Sequence, residues 1–153
     1  MKILYRVANL DDSDLVLNWR NDPIVRKNSR DRSMVSAKTH NSWFVDRIRK
    51  CVTEPIFIFS QDNQEVGFTR LDLIDSETGK FEVSIAVGSE MRGKGYGSTI
   101  LSMTVDAARQ MTNAREITAN VRTDNYASIK LFEKSGFSRA NTYGDFVSFF
   151  LNL

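Results

Sequence analysis

Residues 81–98, Phe-Glu-Val-Ser-Ile-Ala-Val-Gly-Ser-Glu-Met-Arg-Gly-Lys-Gly-Tyr-Gly-Ser, run an apolar strand into a glycine-rich turn and then straight into a helix. Gly93, Gly95 and Gly97 accept positive φ and place no side chain in the way. The amides of Arg92, Gly93, Lys94, Gly95, Tyr96, Gly97 and Ser98 can therefore converge on an anion at a helix N-terminus. The ligand expected there carries a pyrophosphate.

Spacing separates three readings of this turn. The phosphate-loop pattern needs Gly, four residues, Gly-Lys and then Ser or Thr. Gly88 to Lys94 fits, but Gly95 stands where the magnesium-binding hydroxyl belongs. The dinucleotide pattern Gly-x-Gly-x-x-Gly fails because the glycines alternate and the third comes one residue early. The third pattern, Arg-x-x-Gly-x-Gly, is met by Arg92, Gly95 and Gly97. At these residues the chain resembles the GNAT superfamily of N-acetyltransferases, in which such a turn holds the pyrophosphate of acetyl-CoA.

A second block strengthens the resemblance. Residues 125–137, Asn-Tyr-Ala-Ser-Ile-Lys-Leu-Phe-Glu-Lys-Ser-Gly-Phe, are similar to the family segment Asn-x-x-Ala/Ser-x-x-Leu-Tyr-Glu-Lys-x-Gly-Phe. The resemblance implies that Asn125 hydrogen-bonds the pantetheine arm; the residue alone reads equally as a helix cap. It also implies that the strands at 80–87 and 116–122 run parallel and splay apart, leaving backbone groups at Ile85, Ala86 and Val87 for the cofactor. Two positions depart from the pattern. Phe132 stands where many members carry a tyrosine that protonates the departing thiolate. Asn120 stands where the ribosomal-protein N-terminal acetyltransferases, which the chain also resembles, carry a glutamate base.

Acetylation of an amine needs the amine uncharged, and a positioned carboxylate contributes about 10²- to 10⁴-fold to that proton transfer. Glu82 is the candidate, on the strand face shared with Ser84 and Ala86. Its alternative role is a cross-strand ion pair with Arg70 or Lys80. The leaving group needs less help, because a thiol of pKa near 8.5 leaves as a tolerable thiolate near neutral pH.

The acceptor side is read from residues 17–26, Leu-Asn-Trp-Arg-Asn-Asp-Pro-Ile-Val-Arg, and from the His-Asn-Ser-Trp-Phe run ending at Phe44. Both are similar to the GNAT branch that acetylates nucleotide-linked amino-deoxysugars, the pseudaminic-acid pathway type. Between Trp19 and Lys50 nine Lys or Arg stand against three Asp, a local +6 that leaves −4 for the rest of a chain of net charge +2. That charge suits an acceptor with a nucleotide diphosphate, or is simply a solvated helix face. Trp19, Arg20, Arg26, His40 and Trp43 are the candidate acceptor contacts. Core packing is the alternative for the aromatic side chains, and a structural role on the apolar side of its helix for His40.

The elements that must position these residues form one α/β (α+β) domain over residues 1–153, a mixed and mostly antiparallel sheet flanked by helices. Strands are expected at 2–8, 55–60, 65–74, 80–87, 116–122 and 146–151, with 55–87 as an antiparallel meander. Helices are expected from a cap at Asp11, Asp12 or Ser13 to Arg20, where Asn21-Asp22-Pro23 ends it, and at 36–50 with Ala37, Phe44 and Ile48 on its apolar stripe. Two more follow, from the glycine turn to about Met111 and at 126–134. Nothing in the sequence approaches a membrane span or a secretory signal, so a cytoplasmic location is expected. The lone Cys51 reads as a structural thiol, and no residue cluster has metal-ligand spacing. The expectation is thus an acetyl-CoA-dependent N-acetyltransferase acting on a small, nucleotide-linked amine acceptor. It needs no metal, nucleic acid or membrane, and a homodimer is allowed. The alternatives are a protein N-terminal or polyamine acetyltransferase, or a non-catalytic acyl-CoA-binding module.

Overall fold

The computed structural model describes residues 2–153. One seven-stranded sheet takes the order β1-β2-β3-β4-β5-β7-β6. Its strands are β1 (Ile3–Val7), β2 (Ile56–Gln61), β3 (Gln64–Asp75), β4 (Lys80–Val87), β5 (Glu116–Arg122), β6 (Ser138–Tyr143) and β7 (Phe146–Asn152). All neighbours are antiparallel except β4 and β5. The expected three-strand meander is therefore part of a four-strand one that begins at β1.

Helices α1 (Ser13–Asn21), α2 (Pro23–Asn28) and α3 (Ala37–Arg49) are joined by α4 (Tyr96–Arg109) and α5 (Tyr126–Lys134). Strand alternation sorts the core into two layers. Phe57, Phe59, Leu71, Phe81 and Val83 pack with Ile100, Leu101 and Val105 of α4 and Phe132 of α5. Ile56, Ile58, Phe68 and Ala86 pack on the opposite side with Val16 of α1 and Phe44 of α3. Both faces of the central strands are covered, so β2 reads as an unbroken apolar run.

Several local expectations change. Pro23 does not merely end α1. Asp22 accepts hydrogen bonds from the amides of Ile24 and Val25, and proline takes the first position of α2, where its fixed φ suits a helix and its missing N–H is no loss. The cap before α1 is Asn9, which forms a capping box with Asp12 around a single 3-10 turn at Leu10–Asp12. Along α3 the buried residues are His40, Phe44 and Arg47, while Ala37 is exposed. Arg47 is satisfied there by Asp72 and by the carbonyls of Glu54 and Leu71. Helix α4 stops at Arg109, and β6, every residue exposed, is an edge strand added to β7.

Gly67 sets the approach of β3 to β4. A Cβ there would lie 2.4 Å from the Ala86 carbonyl oxygen and 3.2 Å from Val87 Cα. Since both contacts are backbone, Gly67→Ala should force the strands apart and cost about 1–3 kcal/mol. Differential scanning calorimetry should show a fall in Tm of roughly 3–10 °C.

Candidate active site

The parallel pair β4/β5 is in register for only three residues, Lys80 with Glu116, Phe81 with Ile117 and Glu82 with Thr118. Beyond these, β4 continues paired to β3 as far as Val87, and β5 continues paired to β7 as far as Arg122. The two strands therefore diverge from Val83 onward and leave a backbone-lined gap. Backbone groups of alternate residues point to opposite strand edges. Gly88 donates to the Val66 carbonyl, and the Ala86 carbonyl faces Gly67, so both are turned toward β3. Ile85 and Val87 face the gap. Ala86, whose carbonyl is turned toward β3, contributes a methyl group to the α1/α3 core layer.

At the end of β4 a 3-10 turn, Ser89–Met91, buries Met91 and delivers the chain to Arg92. Gly93 (φ +75) and Gly95 (φ +84) adopt the left-handed conformation, and a Cβ built on either would meet nothing within 4 Å. That open space lies in front of the first turn of α4, whose N-cap, Gly95, offers no side chain to its amides. Four helix N–H groups are thus left for an outside acceptor. Gly97 behaves otherwise than expected. It sits inside α4 without positive φ, and its missing Cβ admits Leu131 of α5, which would stand 3.4 Å away. The turn is anchored by side chains. Arg92 Nη2 donates to Asp22 Oδ1 at 2.8 Å, and the Tyr96 hydroxyl donates to Gln61 Oε1. Burial pushes the Asp22 carboxyl up, but the hydrogen bonds from Arg92, Val25 and Ile24 outweigh it and hold the group below the usual carboxylate range. Lys94 and Ser98 are exposed at the turn.

Asn125 is the N-cap of α5, accepting from the Ser128 amide at 3.3 Å and donating to Ser128 Oγ at 3.0 Å. Phe132 is a core residue, stacked on Phe149 and edge-on to Phe137. Neither neighbour brings a proton donor to its position.

Glu82 lies on the face of β4 that looks toward α1–α3, its side chain 14% exposed. Its partner is neither Arg70, which contacts Asp72, nor Lys80, which pairs with Glu116. Instead Arg30 Nη2 donates to Glu82 Oε2 at 2.9 Å, and Asn120 Nδ2 donates to the same oxygen across the gap. Asn120, which lacks the chemistry of a base, thereby orients the carboxylate.

The candidate acceptor residues divide. Trp19 stacks on Phe68 at 5.6 Å between ring centroids, and Trp43 carries the Arg70 guanidinium 5.5 Å from its ring centre. His40 is buried. Its Nε2 is 2.9 Å from the Ser13 carbonyl, which fixes that nitrogen as the donor and ties α3 to α1. This places His40 in the packing between α1 and α3. Burial holds His40 below its ordinary value of 6.5, against the opposing pull of the Ser13 carbonyl and Asp14. The unfolded chain then takes up a proton below about pH 6.5 that the folded chain resists. This contribution is complete above that pH and is lost as pH falls below it. Urea titrations should show stability falling from pH 6.5 toward pH 5 more steeply for the wild type than for His40→Gln.

Arg20 and Arg26 bind the segment between α2 and α3. Arg20 Nη2 donates to the Asp31 carbonyl at 2.8 Å and Arg26 Nε to the Arg32 carbonyl at 3.1 Å. Arg20 Nη1 is buried with no hydrogen-bond partner. Burial lowers the pKa of this guanidinium, Asp31 opposes the fall, and the charges of Arg70 and Arg26 add to it. Arg30, Arg70 and Arg122 also stand around this face, and of these Arg122 is the residue to which the sequence reading gave no role. Arg122 follows Asn120 on the same face of β5, the signal from which it was readable.

The Acetyltransferase (GNAT) domain model matches residues 2–138. The chain belongs to the GNAT acetyltransferase family. Over 154 aligned residues it is 24% identical to an uncharacterised N-acetyltransferase p20 of Bacillus licheniformis, covering 95% of this chain and 84% of that one. An N-acetyltransferase from Staphylococcus aureus Mu50 superposes with a TM-score of 0.83 at 25% identity, covering 99% of each chain. A spermidine N-acetyltransferase from Vibrio cholerae, solved with CoA and spermine, gives a TM-score of 0.87 at 18% identity over 98% of this chain and 95% of its own. The protein is thus an acetyl-CoA-dependent N-acetyltransferase of the GNAT type. Its glycine turn fits the cofactor's diphosphate, since the space beside Gly93 and Gly95 is what a Cβ would narrow. Among the described residues no helix is long and apolar enough to cross a membrane, and no group of three or more His, Cys, Asp or Glu could hold a metal ion.

Proposed function

We propose that this GNAT protein acetylates the primary amine of a small acceptor that also carries negative charge, of the nucleotide-linked amino-deoxysugar class. The observation that supports this reading is Arg20 Nη1, a buried donor without a partner, in the field of Arg26 and Arg70. An uncompensated buried guanidinium donor is costly, and an acceptor phosphate is the group that relieves it.

In this reading Glu82 accepts the proton of the acceptor ammonium, held in place by Asn120. The amides of Gly93 to Ser98 bind the cofactor's diphosphate, and Ile85, Val87 and Asn125 orient its pantetheine arm. The Val87 amide, facing the gap, donates to oxygen charge as it develops. The bound cofactor supplies an acetyl thioester whose sulfur is an adequate leaving group without an acid at Phe132. Lys94 adds positive charge at the mouth of the turn.

A polyamine acceptor draws on a different feature, a cleft of about 270 Å³ lined by Trp19, Asp22, Glu65 and Glu90. Glu82 does not line that cleft, which favours the anionic acceptor. The test is thiol release from acetyl-CoA with UDP-linked 4-amino-deoxysugars, N-terminal peptides and polyamines run in parallel. Selective turnover of the nucleotide sugar is expected, with its KM raised at least tenfold by Arg20→Met. Turnover confined to peptides or polyamines contradicts the acceptor class.

A further inference from the structure

Glu82 is occupied at the position where an acceptor ammonium has to arrive. Arg30 reaches it from the segment between α2 and α3, with a side chain 63% exposed, whereas that of Glu82 is 14% exposed. The segment is tethered by its backbone. Arg122 donates to the Ser29 carbonyl at 3.0 and 2.6 Å and to the Arg30 carbonyl at 3.3 Å. Arg20 and Arg26 hold the next two carbonyls, and Asn21 exchanges two hydrogen bonds with Val35, both 2.9 Å. The main chain is therefore fixed over the site while the Arg30 side chain is held at its tip by one ion pair. An ion pair with one partner this exposed is weak, so its guanidinium is readily exchanged for another cation.

We propose that Arg30 is a displaceable counter-ion of Glu82 that filters acceptors by charge. An entering ammonium replaces the guanidinium at Glu82 Oε2. Because the Arg30 backbone stays tethered, the released guanidinium remains within a side-chain length of the bound acceptor. There it attracts an acceptor that bears an anionic group near its amine and repels one that bears a second cation. Arg30 is in this sense a specificity residue, and nothing in the exchange breaks a covalent bond. The inference rests on Glu82 receiving the acceptor amine.

Three probes of equal carbon length separate the charges: 3-aminopropyl phosphate, propylamine and 1,3-diaminopropane. Each is measured by thiol release from acetyl-CoA and, independently of turnover, by its dissociation constant for the CoA-loaded protein. The wild type should prefer the phosphate to the diamine. Arg30→Ala should shrink that preference by about three- to tenfold, and Arg30→Lys should restore most of it. A structural role for Arg30 would weaken all three probes alike and leave their ratio unchanged, which would overturn the filter. A wild type that does not discriminate among the probes in either readout overturns it too. Glu82→Gln isolates the underlying reading. If that variant still turns over amines while Arg30→Ala still changes the ratio, Glu82 is not the base and the filter stands.

Discussion

Glu82→Gln should lower turnover by about 10²- to 10⁴-fold while leaving the dissociation constant of acetyl-CoA within a factor of about three. The amide nearly matches the carboxylate in shape, and Glu82 stands outside the glycine turn, so the cofactor contacts survive. What disappears is the group able to take a proton from the acceptor ammonium. Loss of the ion pair with Arg30 should cost little stability, because the arginine is largely exposed. Calorimetry on the variant should therefore show an almost unchanged Tm. Turnover and Tm falling together would indicate a structural role for the carboxylate.

Gly95→Trp should abolish measurable acetyl-CoA binding, with at least a hundredfold rise in the dissociation constant, while the protein still folds. The Cβ position at Gly95 meets nothing within 4 Å, so folding bears only the strain of a positive φ, roughly 1–2 kcal/mol. The indole, however, must occupy the space into which the amides ahead of α4 point. Titration calorimetry checks the affinity, and far-UV circular dichroism checks that the fold persists. Unchanged acetyl-CoA affinity in a folded variant would place the diphosphate elsewhere.

The glycine turn and the Asn125 helix cap were legible in the sequence because their signals are local. Positive-φ glycines before an apolar helix, and an Asn followed by a helical run, specify backbone conformation within a few residues. The helix at Tyr126–Lys134 and the strands at Lys80–Val87 and Glu116–Arg122 accordingly fall where periodicity puts them. Helix α2 was hidden because Asn21-Asp22-Pro23 carries two signals at once, a stop for α1 and, with Asp22 as N-cap and proline at the first helical position, a start for α2. Strand β6 has no apolar alternation to announce it, since all its residues are exposed; it exists because β7 offers an edge and Gly144 (φ +54) turns the chain back onto it.

The charges around Glu82 were harder to assign. Arg70 and Lys80 were the near candidates along the sheet, yet each has a closer acid, Asp72 and Glu116. Arg30 is 52 residues away in sequence, and Arg122 fastens its backbone from 92 residues away. No periodicity encodes such pairings, because they depend on how the α2–α3 segment crosses the sheet. His40 illustrates the converse. Its place on the apolar side of α3 was readable, and the Ser13 carbonyl that fixes it was not.

The most direct test of the central claim measures two products in one reaction, thiol released from acetyl-CoA and acetamide formed on a UDP-linked 4-amino-deoxysugar. If Glu82 and the splayed strands act as argued, one acetamide forms for each thiol, and both vanish in Glu82→Gln. Tight acetyl-CoA binding, with thiol release no faster than in a protein-free control for that sugar or any other amine, would contradict the account and leave a cofactor-binding module that performs no transfer.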